Sequence, residues 1–176
     1  MGYGFKAGFV NTYRKKSYGD FKVIMMTNVD GVIQQAENYC KAKGARLTTK
    51  RKQVLRGLIE SNKALSAYEL IDFCHQHFGE KMPPMSVYRI LEFLEHHHLV
   101  HKLNLANKYV ACTHISCDHT HAIPQFLICI NCSKVKEVSI NQATILDLSE
   151  TAKNAGYDLY TPQVELNCLC QSCIPA

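Results

Sequence analysis

Two matched cysteine pairs, Cys129-Ile130-Asn131-Cys132 and Cys170-Gln171-Ser172-Cys173, constrain this chain more than any other feature. Each C-x2-C spacing lets two thiolates grip one edge of a tetrahedral ion. Together the pairs supply four sulfurs, the ligand set that closes a structural zinc with no open position for chemistry. They frame a strand-helix-strand pattern, so the expected metal ties a sheet edge to the C-terminal tail. Either pair alone would also suit a redox dithiol. Cys168 is an alternative ligand, although Cys168 and Cys170 lack the two-residue separation of a knuckle.

With 176 residues, 47% of them hydrophobic, the chain has material for one generous core or two small ones. It contains no run of eighteen apolar residues and no apolar leader, so a soluble, cytoplasmic protein with no membrane partner is expected. Nine cysteines clustered with histidines fit metal ligation in such a compartment better than a disulfide framework. Charge is uneven: 16 Lys and Arg against 9 Asp and Glu give +7 over residues 1–104, and 4 against 6 give −2 over 105–176. The basic half is the candidate nucleic-acid half. Much of its excess lies in the first 25 residues, however, so charge alone carries little.

Residues 1–25 are rich in Gly, Tyr, Phe and basic residues without helical or strand period, which predicts a disordered extension. Met25 or Met26 is the expected translation start, and a basic arm on DNA phosphates is the alternative. From Val29, the positions Val32, Ile33, Ala36 and Cys40 predict a helix stopped at Gly44. After a threonine cap, Val54, Leu55, Leu58 and Ile59 predict a second. Ser66 with Glu69 forms a capping box, and Leu65 with Leu70 a hydrophobic staple, at the start of a third. Pro83-Pro84 interrupts the chain, and Ser86 is the expected cap of a fourth helix burying Val87, Ile90, Leu91 and Leu94. Leu99–Leu103 and Tyr109–Cys112 read as a hairpin, which completes the order of a winged helix-turn-helix. Beyond it, strands at 126–130 and 135–138, a helix spaced by Ile145, Leu148 and Ala152, and an extended return over 157–166 predict a small α/β domain. The expected class is α+β, divided into an extension (1–25), a winged-helix domain (26–112), a hinge (113–122) and a metal-binding domain (123–176).

Outside the four paired thiols lies a second cluster of His101, Cys112, His114, Cys117, His119 and His121, with Glu137 nearby. Imidazole, thiolate and carboxylate together suit zinc better than harder metals. As loop histidines and buried thiols, the same residues would have no metal role. His96, His97 and His98 read as a solvated helix end.

The segments Arg46–Arg51, Leu65–Leu70, Pro84–Leu94, Val100–Lys102, Tyr109–Cys112, Phe126–Cys132, Val135–Glu137 and Cys170–Cys173 resemble the ferric uptake regulator superfamily, most closely its zinc-sensing branch. The resemblance covers roughly residues 29–173. It implies a homodimeric winged-helix repressor with a C-terminal dimerisation domain, which binds double-stranded operator DNA and two zinc ions per protomer and controls zinc uptake genes. It implies no enzyme activity and no small-molecule substrate. Cys129, Cys132, Cys170 and Cys173 match the structural zinc ligands, and His101, Cys112, His121 and Glu137 the regulatory ones. Tyr68 and Arg89 match residues that meet operator bases, while Tyr88, Arg46 and Arg51 match residues that meet the DNA backbone. The segment from His114 to Gln125 departs from the pattern and leaves His119 as an alternative to His121. Thr49 stands where the family often has Pro.

Within the family an iron- or other-metal sensor is the alternative, against which Cys112 speaks as a soft ligand. A zinc-dependent hydrolase or a cysteine-pair redox enzyme is the alternative from another class. The chain offers neither a His-Glu-x-x-His helix nor an acid/base pair beside an open metal position.

Overall fold

The structure is a computed structural model that describes residues 28–113, 115, 123–160 and 163–175. The extension at 1–25 and the candidates His114, Cys117, His119 and His121 lie outside the described residues. Within them the class is α+β, as expected.

Helix α1 (Val29–Ala42) starts at Asn28, whose side chain accepts the Gly31 N–H at 3.0 Å, and buries Val32, Ile33, Ala36 and Cys40. Gly44, at φ +71°, occupies the left-handed position expected of a helix stop. In α2 (Thr49–Ser61), Val54, Leu55, Leu58 and Ile59 face the core. Thr48 holds its N-cap position without a side-chain bond; instead Arg51 Nη1 donates to the Arg46 carbonyl at 2.6 Å and fastens the incoming loop. Helix α3 (Ala67–Phe78) carries the full capping box, with the Ser66 N–H on Glu69 at 2.6 Å and the Glu69 N–H on Ser66 Oγ at 3.3 Å.

Helix α4 (Pro84–His96) begins two residues before the expected cap. Pro83 takes the N-cap and Pro84 the first helical position, where a missing N–H costs nothing and the fixed φ is already helical, so Ser86 lies inside the first turn. The predicted face of Val87, Ile90, Leu91 and Leu94 is buried.

Strands β1 (Val100–Leu103) and β2 (Lys108–Ala111) form the antiparallel wing, with His101 opposite Val110 and Lys102 opposite Tyr109. Leu65 and Tyr109 exchange backbone hydrogen bonds of 3.0 and 2.7 Å, which attaches the wing to the start of α3. Helices α1 to α4 close one core, to which Leu99, Val100 and Cys112 also belong.

In the second part, β3 (Pro124–Cys129) lies between β4 (Val135–Ser139), antiparallel to it, and β5 (Val164–Cys168), parallel to it. A parallel pair needs a long crossover, and α5 (Gln142–Asn154), ended by Gly156 at φ +83°, lies in it. Of the expected extended return over 157–166, Val164–Leu166 lie in β5, which runs on to Cys168. Phe126, Ile128 and Val135 bury with Leu103 of the wing and Ala64, so a second core joins wing to sheet. No residue of α5 is buried, and Leu146 and Leu148 stand exposed.

Candidate metal centres and nucleic-acid face

The parallel pairing of β3 with β5 sets Cys129 opposite Cys168 and brings the chain beyond β5 back over the turn that follows β3. Cys129, Cys132, Cys170 and Cys173 consequently converge, with sulfurs all within 4.8 Å of one another. Zinc–sulfur bonds of about 2.3 Å imply sulfur–sulfur edges of about 3.8 Å, and Cys132 and Cys170 stand 3.6 Å apart, far beyond a disulfide bond. The Cys170 N–H donates to Cys129 Sγ at 3.3 Å. The backbone N–H groups of Cys170 and Cys132 lower the Cys129 thiol to about 6, so that it is ionised at neutral pH. Cys173 is raised to about 12, since its bonds to the Cys170 and Cys132 sulfurs favour the protonated thiol. Bringing all four sulfurs to the thiolate form takes a cation between them, and this donor set fits zinc. Cys168 is turned elsewhere, its thiol directed to the Ile128 carbonyl at 3.6 Å.

The second grouping joins three elements. His101 comes from β1, Cys112 follows β2 at the foot of the wing, and Glu137 comes from β4; their ligand atoms also lie within 4.8 Å of one another. Cys112 is fully buried and Glu137 nearly so. A carboxylate at such a depth needs a compensating cation or a proton. Glu137 Oε2 accepts the Thr113 hydroxyl at 2.7 Å and the Thr113 N–H at 3.2 Å, while Oε1 lies 3.9 Å from His101 Nε2. That separation exceeds a hydrogen bond, and a shared tetrahedral ion would draw the pair about half an ångström closer. One nitrogen, one sulfur and one oxygen around a buried point fit zinc. The fourth expected ligand, His121, and its alternative His119 are not among the described residues.

Thr113, which orients the carboxylate, carries no ligand signature of its own. Nor do Glu165 and Gln163. Glu165 accepts the backbone N–H groups of Asn104 and Leu105 at 2.8 and 2.9 Å, and Gln163 Nε2 donates to the Lys102 carbonyl at 2.8 Å, so β5 and the residue before it hold the turn of the wing. Cys40 and Cys74 are core thiols: burial pushes Cys74 up to about 11 and Cys40 in the same direction, which makes them inert at neutral pH.

The nucleic-acid candidates lie on α3, on α4 and about the start of α2. Tyr68 is 62% exposed on the first turn of α3, with its ring edge-on to Tyr88 at 6.5 Å. Arg89 and Arg46 are exposed, whereas Tyr88 is half-buried and packs on the core. Arg51 differs from the other cationic candidates. Its guanidinium carbon lies 3.4 Å from the centre of the Phe93 ring. Among the described residues no helix is long and apolar enough to cross a membrane.

The zinc uptake regulation protein of Escherichia coli (strain K12) is 35% identical over 149 residues, 84% of this chain and 84% of that protein. A solved zinc uptake regulator complexed with zinc and DNA is 31% identical, covering 82% of this chain and 94% of that one, with a TM-score of 0.72. The crystal structure of holo XcZur is 33% identical over 84% of this chain and 99% of that one, with a TM-score of 0.69. Residues 42–167, which span the wing, the sheet and the first cysteine pair, match the ferric uptake regulator family, and the chain belongs to it.

Proposed function

We propose that this chain is a zinc-responsive transcriptional repressor, a cytoplasmic homodimer that binds double-stranded operator DNA when loaded with two zinc ions per protomer and controls zinc uptake genes. The observation that carries the reading is the convergence of His101, Cys112 and Glu137 across the junction of wing and sheet. A ligand-dependent switch belongs between two parts whose relative orientation matters, and this cluster lies there. The printed names of the relatives, a zinc uptake regulation protein and a zinc uptake regulator complexed with zinc and DNA, support the same reading.

In this reading Cys129, Cys132, Cys170 and Cys173 hold a structural zinc, and His101, Cys112, Glu137 and His121 hold the regulatory one. At the second site zinc supplies a tetrahedral tie between side chains, and the Cys112 thiolate favours it over iron(II) or manganese. His101 and Cys112 fix the two wing strands, and Glu137, oriented by Thr113, fixes the sheet. With those three held, the wing has one orientation on the sheet. In a dimer this orientation sets the spacing of two α4 helices to successive major grooves, about 34–36 Å apart. Arg89 donates to guanine O6 and N7, worth about 1–3 kcal/mol of discrimination. Tyr68 packs on a thymine methyl or a sugar, and Arg46 and Tyr88 meet the backbone. Metal and DNA affinities are linked, each raising the other by the same factor.

The test is a zinc titration of binding to a duplex selected by the zinc-loaded wild-type chain from a randomised library. The wild type is expected to require zinc, and Cys112→Ser to require far more of it while keeping the four-cysteine metal. Unchanged zinc dependence in Cys112→Ser would overturn the regulatory assignment, and a stronger response to iron(II) would favour an iron sensor.

A further inference from the structure

Four basic side chains stand near the start of α2, and they are not equivalent; Lys52 pairs with Glu37 at 2.6 Å. Arg46 and Lys50 are exposed, but Arg51 is half-buried and engaged twice. Its Nη1 donates to the Arg46 carbonyl at 2.6 Å, and its guanidinium carbon lies over the Phe93 ring, 3.4 Å from the centroid. Phe93 belongs to α4, four residues after Arg89, so the two share one stripe of that helix. One turn further along the stripe, the His97 ring packs on Phe93 with centroids 4.4 Å apart. The stripe that ends in Arg89 is therefore gripped at its middle by a residue from α2.

We propose that Arg51 is a positioning residue for α4 and touches no DNA: it clamps Phe93 and, through Phe93, sets the direction in which Arg89 enters the major groove. The inference rests on the DNA-binding reading above and changes the role that family resemblance gives Arg51. The ring contact and the bond to the Arg46 carbonyl hold the guanidinium in one place at the crossing of α2 and α4, so its position is fixed from within the protein. Its planar fork also explains why the position calls for arginine, since an ammonium group cannot lie flat on the ring and reach the carbonyl together. Rigid docking of the helix matters because a bidentate arginine–guanine contact tolerates little misalignment.

The experiment measures binding to the selected duplex, and to the same duplex changed at the guanine that Arg89→Ala ceases to distinguish. It compares zinc-loaded wild type, Arg51→Lys, Arg51→Gln, Phe93→Leu, the Arg51→Gln/Phe93→Leu pair and Arg46→Gln across a salt series, with thermal melting of each. Arg51→Lys and Arg51→Gln are expected to lose about tenfold in affinity for the selected duplex and to lose discrimination. Their salt dependence should match the wild type. Phe93→Leu should behave alike, and the double variant should add nothing. A phosphate contact would give the opposite pattern, overturning the inference: Arg51→Lys near wild type, and the log–log salt slope of Arg51→Gln reduced by about 0.9. Equal losses on both duplexes, tracking the melting temperature, would also overturn it by reducing Arg51 to a general stabiliser. Failure of the wild type itself to select DNA with zinc would instead sink the reading beneath it.

Discussion

The hydroxyl of Thr113 donates to Glu137 Oε2 at 2.7 Å, so one carboxylate oxygen is anchored and the other is directed at the imidazole of His101. Groups that orient a metal ligand typically contribute about 10–100-fold to affinity. Thr113→Val keeps the side-chain shape and the backbone bond but removes the hydroxyl. It should weaken zinc at the site of His101, Cys112 and Glu137 by roughly that factor, seen in competition with a chelator, while zinc at the four cysteines stays in place.

Glu165 makes a further connection between wing and sheet. Its two oxygens accept the N–H groups of Asn104 and Leu105, and glutamine would turn an amide donor toward one of them. Glu165→Gln should cost about 1 kcal/mol of stability. It should also speed amide exchange at 104 and 105 and make DNA binding depend more steeply on zinc. Unchanged exchange at those two amides would refute this account of the turn.

Loss of one knuckle sulfur should have a different outcome from loss of a ligand at the His101–Cys112–Glu137 cluster. Cys170→Ser leaves three sulfurs and removes the partner 3.6 Å from Cys132. One equivalent of bound zinc should disappear, and amide protection should fall in β3 and β5. The cores of α1 to α4, which do not use this metal, should keep theirs.

Acid should weaken the start of α3 through Glu69. Burial pushes its carboxyl up, but the Ser66 N–H and the Lys108 ammonium pull it down further, and the net shift is below the ordinary value. A depressed carboxylate contributes stability that is complete above its unfolded value, about 4.3, and is lost as pH falls through the folded one. Glu69→Gln keeps an acceptor for Ser66 without the charge. The stability difference between wild type and Glu69→Gln, measured by denaturant unfolding, should favour the wild type above pH 5 and shrink below pH 4. Since Glu69 is about half exposed, the effect should be modest.

Much of the candidate site was readable because its chemistry is written in residue type and short spacing. The two C-x2-C pairs, the Ser66–Glu69 box and the spacing of Val87, Ile90, Leu91 and Leu94 are local patterns, and the structure carries them as expected. The residues that escaped notice make their contacts at a distance. Thr113 and Glu137 are 24 positions apart, Asn104 and Glu165 are 61 apart, and Glu165 recognises backbone amides that leave no mark in the sequence. The stacking of Arg51 on Phe93 leaves no mark in the sequence for the same reason, since it depends on how α2 crosses α4. Ser86 was mistaken for a cap because two adjacent prolines competed for the helix start and took it.

The parallel partnership of β5 with β3 also has a consequence in time. A chain synthesised from its N-terminus completes α1 to α4 and the wing long before β5 exists, and β5 starts some 35 residues after β3 ends. The helical core and its wing can thus mature while the sheet is a bare hairpin of β3 and β4, its first cysteine pair waiting for the second. Convergence of the four cysteines and fastening of the wing turn by Glu165 become late events of the same moment, so a newborn chain acquires its helical core and wing first and the clasp between wing and sheet last.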